Sequence, residues 1–175
     1  MLVREATVGD ARRVEEIRVR TWRAAYRHVL PPERLDAMPI DETRWLHRIA
    51  EPPPGWRTYV VEDEGRVIGF ASVGPSRDQQ GIGELYAIYV EPDAWSTGAG
   101  RGLIAAAEAA LADNYREAHL WVLEENARAR RFYELAGWQH DGVRKIETFL
   151  ETEVAEVRYR KTVGTTSRNS LPDPG

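Results

Sequence analysis

Three glycines crowd the point where an apolar segment gives way to a helical pattern. The segment 88–104 reads IYVEPDAWSTGAGRGLI and contains Gly98, Gly100 and Gly102. Glycine lets backbone N–H groups approach a ligand closely. A helix that begins there adds unpaired N–H groups and the positive end of its dipole. The pattern predicts an anion site that suits a pyrophosphate, and a tight turn without a ligand is the alternative.

Two common nucleotide-binding motifs do not fit this segment. A Walker loop requires Gly-Lys-Ser/Thr, which does not follow the glycines. A dinucleotide-binding fingerprint requires a third glycine at the position that Leu103 occupies. The segment therefore indicates a phosphate site of another kind.

A single carboxylate, Glu84, interrupts the apolar run GELYAIYV (83–90). Strict strand alternation places it on the same face as Tyr86, Ile88 and Val90. Because apolar surroundings disfavour the charged form of a carboxylate, such a residue can accept a proton near neutral pH. The alternative interpretation is a structural carboxylate.

Hydrophobic periodicity predicts the elements that must position these residues. The run at 83–90 is apolar on both faces and should lie centrally in a sheet. Thr7 and Asp10 resemble a capping box at the start of the first helix. Other strands are predicted at 2–6, 58–62, 66–73 and 118–123, helices at 11–25, 32–38, 41–50, 101–112 and 126–136, and a closing antiparallel pair at 138–147 and 154–162. This order is mixed α/β, with a βαβ-like unit in the middle.

The length of 175 residues suits one domain, which we expect at 1–163. The segment 164–175, GTTSRNSLPDPG, has the composition of a disordered tail. No run approaches the roughly 18 apolar residues of a membrane-spanning helix, so we expect no membrane association. The charged N-terminus lacks the apolar segment of a signal peptide.

The chain contains no cysteine, which excludes disulfides, thiolate nucleophiles and sulfur-ligated metals. This composition fits a cytoplasmic location. The net charge of −4 argues against a general nucleic-acid binder, which has a basic surplus. The histidines His47, His119 and His140 have no metal-ligand spacing, so we expect no metal.

Two segments resemble the GCN5-related N-acetyltransferase (GNAT) family. The run 95–100, WSTGAG, is similar to the family motif Arg/Gln-x-x-Gly-x-Gly/Ala, with Trp95 where Arg or Gln is usual. The run 125–138, ENARARRFYELAGW, is similar to the family's Asn-x-x-Ala…Phe-Tyr…Gly-Phe, with Trp138 in place of Phe. Together with the strand order, the resemblance covers about residues 1–160.

The resemblance implies an acyl-CoA N-acyltransferase fold, in which helices flank a mostly antiparallel sheet of six to seven strands. It also implies acetyl-CoA as the co-substrate, without a metal. Since the family binds pyrophosphate mainly through backbone N–H groups, we expect binding to tolerate Trp95. Asn126 is predicted to cap its helix and to contact the pantetheine arm. The residues expected to bind acetyl-CoA are Ile88, Tyr89, Val90, Ser96, Thr97, Gly98, Ala99, Gly100, Arg101 and Asn126.

The resemblance further implies acetyl transfer to an amine by direct attack in a ternary complex, since no cysteine is available for a covalent relay. Glu84 is the expected general base and Tyr133 the expected proton donor to the thiolate. A backbone N–H near Val90 is expected to polarise the acetyl carbonyl. A place in the core is the alternative for Tyr133.

The acceptor is expected to be a small-molecule primary amine that contacts Trp22, Tyr26 and His28. A core position is the alternative for Trp22. Acetylation of a protein N-terminus or lysine is a second interpretation, and a non-catalytic acyl-CoA-binding module is a third. The sequence leaves open whether the chain forms a homodimer.

Overall fold

The predicted strands and helices all appear in the computed structural model, which describes residues 1–164, with ends shifted by at most a few residues. The strands are β1 (Leu2–Glu5), β2 (Arg57–Asp63), β3 (Arg66–Pro75), β4 (Gly83–Val90), β5 (Glu117–Leu123), β6 (Gln139–Phe149) and β7 (Thr152–Thr162). The helices are α1 (Ala11–Ala25), α2 (Pro32–Asp36), α3 (Thr43–Ala50), α4 (Ala99–Ala112) and α5 (Ala127–Leu135).

All seven strands form one sheet in the order β1-β2-β3-β4-β5-β7-β6. Each neighbouring pair is antiparallel except β4 and β5, which are parallel and are connected through α4. The central position predicted for β4 is confirmed, because it lies fourth of the seven strands. The architecture is the mixed α/β fold, with a mostly antiparallel sheet, that the resemblance implied.

The parallel pair β4–β5 is short. The two strands pair only at Gly83–Ala118 and Glu84–His119, and then they diverge. Within residues 1–164, the edge of residues 85–90 that faces β5 therefore has no strand partner. Because alternate N–H groups of a strand point to each edge, this divergence leaves free backbone donors along a wedge-shaped opening.

Helices cover both faces of the sheet. An apolar stripe of α4 is buried against one face, together with Tyr133 of α5. On the other face, α1 and α3 pack Ile17 and Trp45 against Phe70 of β3. The buried residues of the α4 stripe are Leu103, Ile104, Ala107 and Leu111.

A register shift lies in the middle of β4. Val73 of β3 pairs with Leu85, whereas the preceding Ser72 pairs with Ala87. Tyr86 is therefore an extra residue without an opposite partner, as in a β-bulge.

The shift reverses the alternation of side chains along β4. Ile88 and Val90 pack in the α4 cluster, as Leu85 does, whereas Tyr89 packs in the α1 cluster. The expectation that Glu84 shares a face with Ile88 and Val90 is therefore wrong. One inserted residue moves every later side chain to the opposite face.

The start of α1 is joined to β1 through Asp10. Its carboxylate accepts hydrogen bonds from the Thr7 backbone N–H at 2.7 Å and from two guanidinium nitrogens of Arg4 at 2.8 and 3.0 Å. The hydrogen bonds from Arg4 hold the pKa of Asp10 below its usual value. The predicted capping box is confirmed, and it connects the first helix to the edge of the sheet.

The last described residue, Gly164, donates its backbone N–H to the Arg116 carbonyl at 3.1 Å. The rest of the predicted tail, 165–175, lies outside the described residues. Within residues 1–164, no helix has both the length and the apolar content needed to cross a membrane.

Candidate functional site

The opening between β4 and β5 leads into a cleft of about 1760 Å³ that reaches both faces of the sheet. On the α4 face, the cleft ends at the glycine-rich turn before α4. On the α1 face, it is lined by α1, α3 and the β6–β7 hairpin. Pockets that hold one drug-sized ligand measure about 300–1000 Å³, so this cleft has room for two co-substrates.

The turn before α4 adopts backbone conformations that expose its N–H groups. Ser96 and Gly98 have φ of 65° and 98°. Gly98 is the N-cap of α4, and its carbonyl accepts the first helical hydrogen bond from Gly102 at 3.1 Å. The N–H groups of residues 99–101 are therefore free, as at any helix start. A Cβ on Gly100 would lie 3.1 Å from the Phe132 ring, so glycine lets α5 pack closely beside the turn.

Trp95 stands where the family motif has Arg or Gln, and it brings an arginine to the same place. Its indole N–H donates to the Val90 carbonyl at 2.8 Å, and the Arg128 guanidinium lies 3.7 Å from the centre of its ring. Arg101 and Arg131 also line this end of the cleft. The side chain that departs from the motif therefore helps to hold a cation at the turn.

The predicted acetyl-CoA residues do not all line the cleft. Ile88, Tyr89, Val90, Ser96, Gly98, Gly100, Arg101 and Asn126 do. Thr97 is exposed, and its hydroxyl donates to the Ala94 carbonyl at 2.7 Å. Ala99, the first residue of α4, is buried in the hydrophobic core. These two residues can contribute backbone groups but no side-chain contact.

The two predicted residues on and beside α5 reach the cleft. Asn126 accepts a hydrogen bond from the Ala129 N–H at 3.1 Å, which confirms its role as N-cap. Tyr133 is 8% exposed, and its hydroxyl forms no hydrogen bond with the described residues. Burial, with a smaller effect of Tyr89, raises the pKa of Tyr133 well above its usual value. Its hydroxyl therefore carries a proton throughout the neutral range.

Glu84 is 1% exposed and is held in an ion pair. Its two carboxylate oxygens accept hydrogen bonds from the Arg77 guanidinium at 2.9 and 3.1 Å, and the Arg77 backbone N–H lies 3.2 Å from one of them. Arg77 belongs to the β3–β4 connection, which has no periodic pattern, and sequence reasoning missed it. The expectation from the sequence is a carboxylate in apolar surroundings, with a structural carboxylate as the alternative.

A buried histidine lies beside Glu84. His119 Nε2 is 2.9 Å from the Ser76 hydroxyl and 3.2 Å from an Asp78 oxygen. Burial lowers the pKa of His119, which favours the neutral imidazole. Ligand atoms of Asp78, Glu84 and His119 lie within 4.8 Å of one another, but the guanidinium on Glu84 disfavours a metal cation there. Nothing in the sequence indicates this cluster, because β4–β5 pairing brings its members together.

A second cleft carboxylate, Glu156 of β7, was also missed. Its side chain is 13% exposed, and the Lys145 ammonium lies 3.9 Å away. Burial raises the pKa of Glu156, and Glu147 adds to the shift, while Lys145 opposes it. Alternating polar and apolar residues mark β7 in the sequence, but nothing there distinguishes Glu156 from its neighbours.

The three residues predicted to contact the acceptor lie on the α1 face of the cleft. Trp22 is half-buried and donates its indole N–H to the Tyr89 hydroxyl at 3.1 Å. Its ring meets Tyr26 and Phe149 edge-on at 5.2 and 5.5 Å. His28 is exposed, with Nε2 3.3 Å from the Glu125 carbonyl oxygen. Trp22 therefore lines the cleft while it also packs against the core.

The β6–β7 hairpin covers this face of the cleft. Phe149 and Leu150 pack against the cluster that joins α1 to α2. Arg34 of α2 forms an ion pair with Glu151 of the hairpin turn at 2.5 Å. The hairpin thus forms part of the wall of the cleft on the α1 face, where Phe149 meets the Trp22 ring.

Comparison with known proteins identifies the family. Residues 12–138 match the Acetyltransferase (GNAT) family. The chain is 37% identical over 130 residues to the uncharacterized N-acetyltransferase YuaI of Bacillus subtilis (strain 168), and the alignment covers 71% of this chain and 72% of YuaI.

Solved structures show the same fold. YncA of Salmonella typhimurium, solved with its cofactor acetyl-CoA, superimposes with a TM-score of 0.74 at 18% identity and covers 98% of this chain and 97% of its own. The PaiA N-acetyltransferase of Thermoplasma acidophilum, in complex with coenzyme A, gives 0.71 at 17% identity over 92% and 98% of the two chains. The family match includes both the glycine-rich turn and the segment with Asn126 and Tyr133. This chain is therefore an acetyltransferase of the GNAT family.

Proposed function

We propose that this acetyltransferase moves the acetyl group of acetyl-CoA to the primary amine of a small molecule. The observation that carries the proposal is one cleft that passes through the sheet. It connects a turn with free N–H groups on the α4 face to a covered aromatic pocket on the α1 face. Such a cleft brings two co-substrates together from opposite faces of the sheet.

The acetyl-CoA site is assigned to the α4 face. The pyrophosphate accepts hydrogen bonds from the N–H groups of residues 99–101, and the helix dipole favours its charge. Arg101, Arg128 and Arg131 supply positive charge nearby. The pantetheine arm follows the unpaired edge of residues 85–90 towards Asn126. YncA and PaiA, which share the fold, bind acetyl-CoA and coenzyme A.

The acceptor is assigned to the α1 face. Trp22, Tyr26 and Phe149 form an aromatic wall there, and the β6–β7 hairpin covers it. An internal lysine needs an open groove on both sides of the reacting amine, and a protein N-terminus needs one on a single side. The covered pocket therefore favours a small amine.

The reaction is a direct transfer. The neutral amine attacks the thioester carbonyl carbon, a C–N bond forms and the C–S bond breaks. An alkyl ammonium has a pKa of about 10, so a base must take its proton. A free N–H of the unpaired edge of β4 polarises the carbonyl. The departing thiolate takes the proton of the Tyr133 hydroxyl, which is buried beside the cleft, and Tyr133 regains a proton from solvent as the base releases the one that it took from the amine.

Two carboxylates compete for the role of base. Glu84, favoured by the sequence, has both oxygens engaged by Arg77, so it must weaken that ion pair to accept a proton. Glu156 has a raised pKa, lines the cleft and has Lys145 at 3.9 Å. The raised pKa makes Glu156 the better match to proton transfer near neutral pH.

The first prediction concerns acetyl-CoA binding. Acetyl-CoA at one hundred times its Kd should stabilise the protein by about 2.7 kcal/mol, which raises Tm by about 5 to 10 °C. Gly98→Val should abolish this shift, because a β-branched residue strongly disfavours a φ of 98° and the turn must change. Differential scanning fluorimetry with and without acetyl-CoA measures both effects.

Gly65→Val is the matched control. Gly65 has a φ of 78° in the β2–β3 turn, and a Cβ there meets no atom within 4 Å. The substitution imposes similar backbone strain away from the cleft, so acetyl-CoA should still raise the Tm of this variant. A wild-type Tm that is indifferent to millimolar acetyl-CoA contradicts the proposed function.

The second prediction concerns the acceptor class. Thiol release from acetyl-CoA, measured across small amines, aminoglycosides, amino acids and peptides, should be fastest with small amines. Mass spectrometry should find one added acetyl group on the amine. Faster turnover of peptides would favour a protein acetyltransferase. Binding of acetyl-CoA without thiol release would indicate a non-catalytic module.

The third prediction concerns Tyr133. Tyr133→Phe should lower kcat by about 10²-fold or more and change the KM for acetyl-CoA much less, because only proton donation is lost. Steady-state kinetics separate the two constants. Tyr115→Phe, outside the cleft, is the control and should leave kcat unchanged. An unchanged kcat in Tyr133→Phe would assign Tyr133 to the core alone.

The fourth prediction concerns the base and its pH dependence. A base must be ionised, so kcat should rise as pH increases through its pKa, which for Glu156 lies above 4.5. Substitution of the true base by Gln should lower kcat by about 10²-fold or more and flatten this acid limb. We expect this of Glu156→Gln. Glu153→Gln, an exposed carboxylate of the same strand, is the control and should retain the profile.

Glu84→Gln separates the two candidates. Loss of the ion pair leaves the Arg77 guanidinium without its carboxylate, so Tm should fall while the acid limb remains. A retained Tm with a flattened acid limb in Glu84→Gln would instead identify Glu84 as the base.

A further inference from the structure

Helix α3 presents two arginines to the cleft. Arg44 and Arg48 are four residues apart, which places them on the same side of the helix, and both line the cleft on the α1 face. Arg48 is partly buried, and Arg44 is more exposed. The two guanidinium groups therefore lie beside the pocket assigned to the acceptor.

Neither arginine forms an ion pair within residues 1–164, and the Glu15 carboxylate, which is paired with Arg18, attracts Arg44 only at longer range. Two neighbouring cleft arginines differ in this respect. Arg18 donates to Glu15 at 2.8 and 2.7 Å, and Arg77 is paired with Glu84. The cleft thus contains both satisfied and unsatisfied guanidinium groups.

Aromatic rings hold the two unpaired side chains in place. Arg44 lies 5.4 Å from the centre of the Trp45 ring, and Arg48 lies 5.6 Å from Trp45 and 4.8 Å from Trp56. Stacking occupies the face of a guanidinium and leaves its N–H donors in the plane free. The N–H donors of Arg44 and Arg48 are therefore held in position and are free to bind a ligand.

The surroundings disfavour these two charges. Loss of hydration in the cleft lowers the pKa of both arginines, and repulsion by Arg18 adds to the shift of Arg44. Repulsion by Arg44 and Arg77 adds to the shift of Arg48. An anion bound between them would relieve both effects, because opposite charges attract strongly where water is partly excluded.

Acetyl-CoA does not account for this pair. Its phosphates are assigned to the turn before α4, where Arg101, Arg128 and Arg131 lie. Helix α3 packs with α1 on the opposite face of the sheet. The ligand of Arg44 and Arg48 therefore approaches from the acceptor side.

We propose that Arg44 and Arg48 bind an anionic group, a carboxylate or a phosphate, that the acceptor carries in addition to its amine. The inference rests on the proposed function and narrows its substrate class to amines with a second, negatively charged group. A guanidinium presents paired donors that match both kinds of oxyanion. Trp56 and Tyr86, stacked at 4.1 Å, form an apolar wall beside this anion site.

Matched pairs of acceptors test the inference. Phosphoethanolamine is compared with ethanolamine, and β-alanine with 3-aminopropanamide, by thiol release from acetyl-CoA. The anionic member of at least one pair should have the higher kcat/KM, and the pair that shows it identifies phosphate or carboxylate. The double variant Arg44→Gln/Arg48→Gln should reduce this preference about 10- to 100-fold, as expected for lost charge-assisted hydrogen bonds.

Binding gives a second readout that does not depend on turnover. The protein is saturated with coenzyme A, which occupies the phosphate turn, and is titrated calorimetrically with the same four compounds. The anionic member should bind about 10- to 100-fold more tightly than its neutral partner, and the double variant should lose the difference. Arg116→Gln, an exposed arginine outside the cleft, is the control and should retain it.

The outcomes separate this inference from the proposed function. Equal affinities within both pairs, or a preference that persists in the double variant, overturn the anion site. If acetyl-CoA still raises Tm and amines are acetylated in that case, the proposed function stands without it. Failure of both acetyl-CoA binding and thiol release overturns the proposed function and the inference with it.

Discussion

The site depends on the short length over which β4 and β5 pair. β4 and β5 are parallel neighbours at only two residue pairs, Gly83–Ala118 and Glu84–His119, and then they diverge. Longer pairing would close the sheet and satisfy those N–H groups of residues 85–90 that point towards β5. Because the strands diverge, these donors face an opening that connects the two faces of the sheet. The roles proposed for the other site residues depend on where they lie relative to this opening.

Buried polar groups lie where the divergence begins. Glu84 and His119, the last paired residues, have side chains that contact Arg77 and Asp78 respectively. A buried carboxylate without a partner would be strongly destabilising, and the Arg77 guanidinium offsets much of that cost. The cluster thus stabilises the closed end of the opening, while the bulge at Tyr86 sets which side chains line each face beyond it.

Positive charge is divided between the two faces of the cleft. Arg101, Arg128 and Arg131 surround the turn before α4, and Arg44 and Arg48 lie on the α1 face. Within residues 1–164, other cleft arginines such as Arg18 are neutralised by carboxylates. The net charge of the chain is −4. The five arginines at the turn and on α3, which form no ion pair within residues 1–164, therefore make two positive regions on an otherwise acidic protein. Anions are therefore attracted at two separate places, one for each co-substrate in the proposed reaction.

Features that depend on near neighbours along the chain could be predicted from the sequence. Periodicity located the strands and helices, and the glycines marked the turn where Gly98 has a φ of 98°, since both signals arise within a few residues. The bulge in β4, the ion pair of Glu84 and the place of Glu156 became visible only in the folded chain. Each of these depends on which distant segments become neighbours, as when β5 brings His119 to Glu84. Local patterns contain no information on such pairings, because a side chain's partner is set by packing rather than by its own propensity.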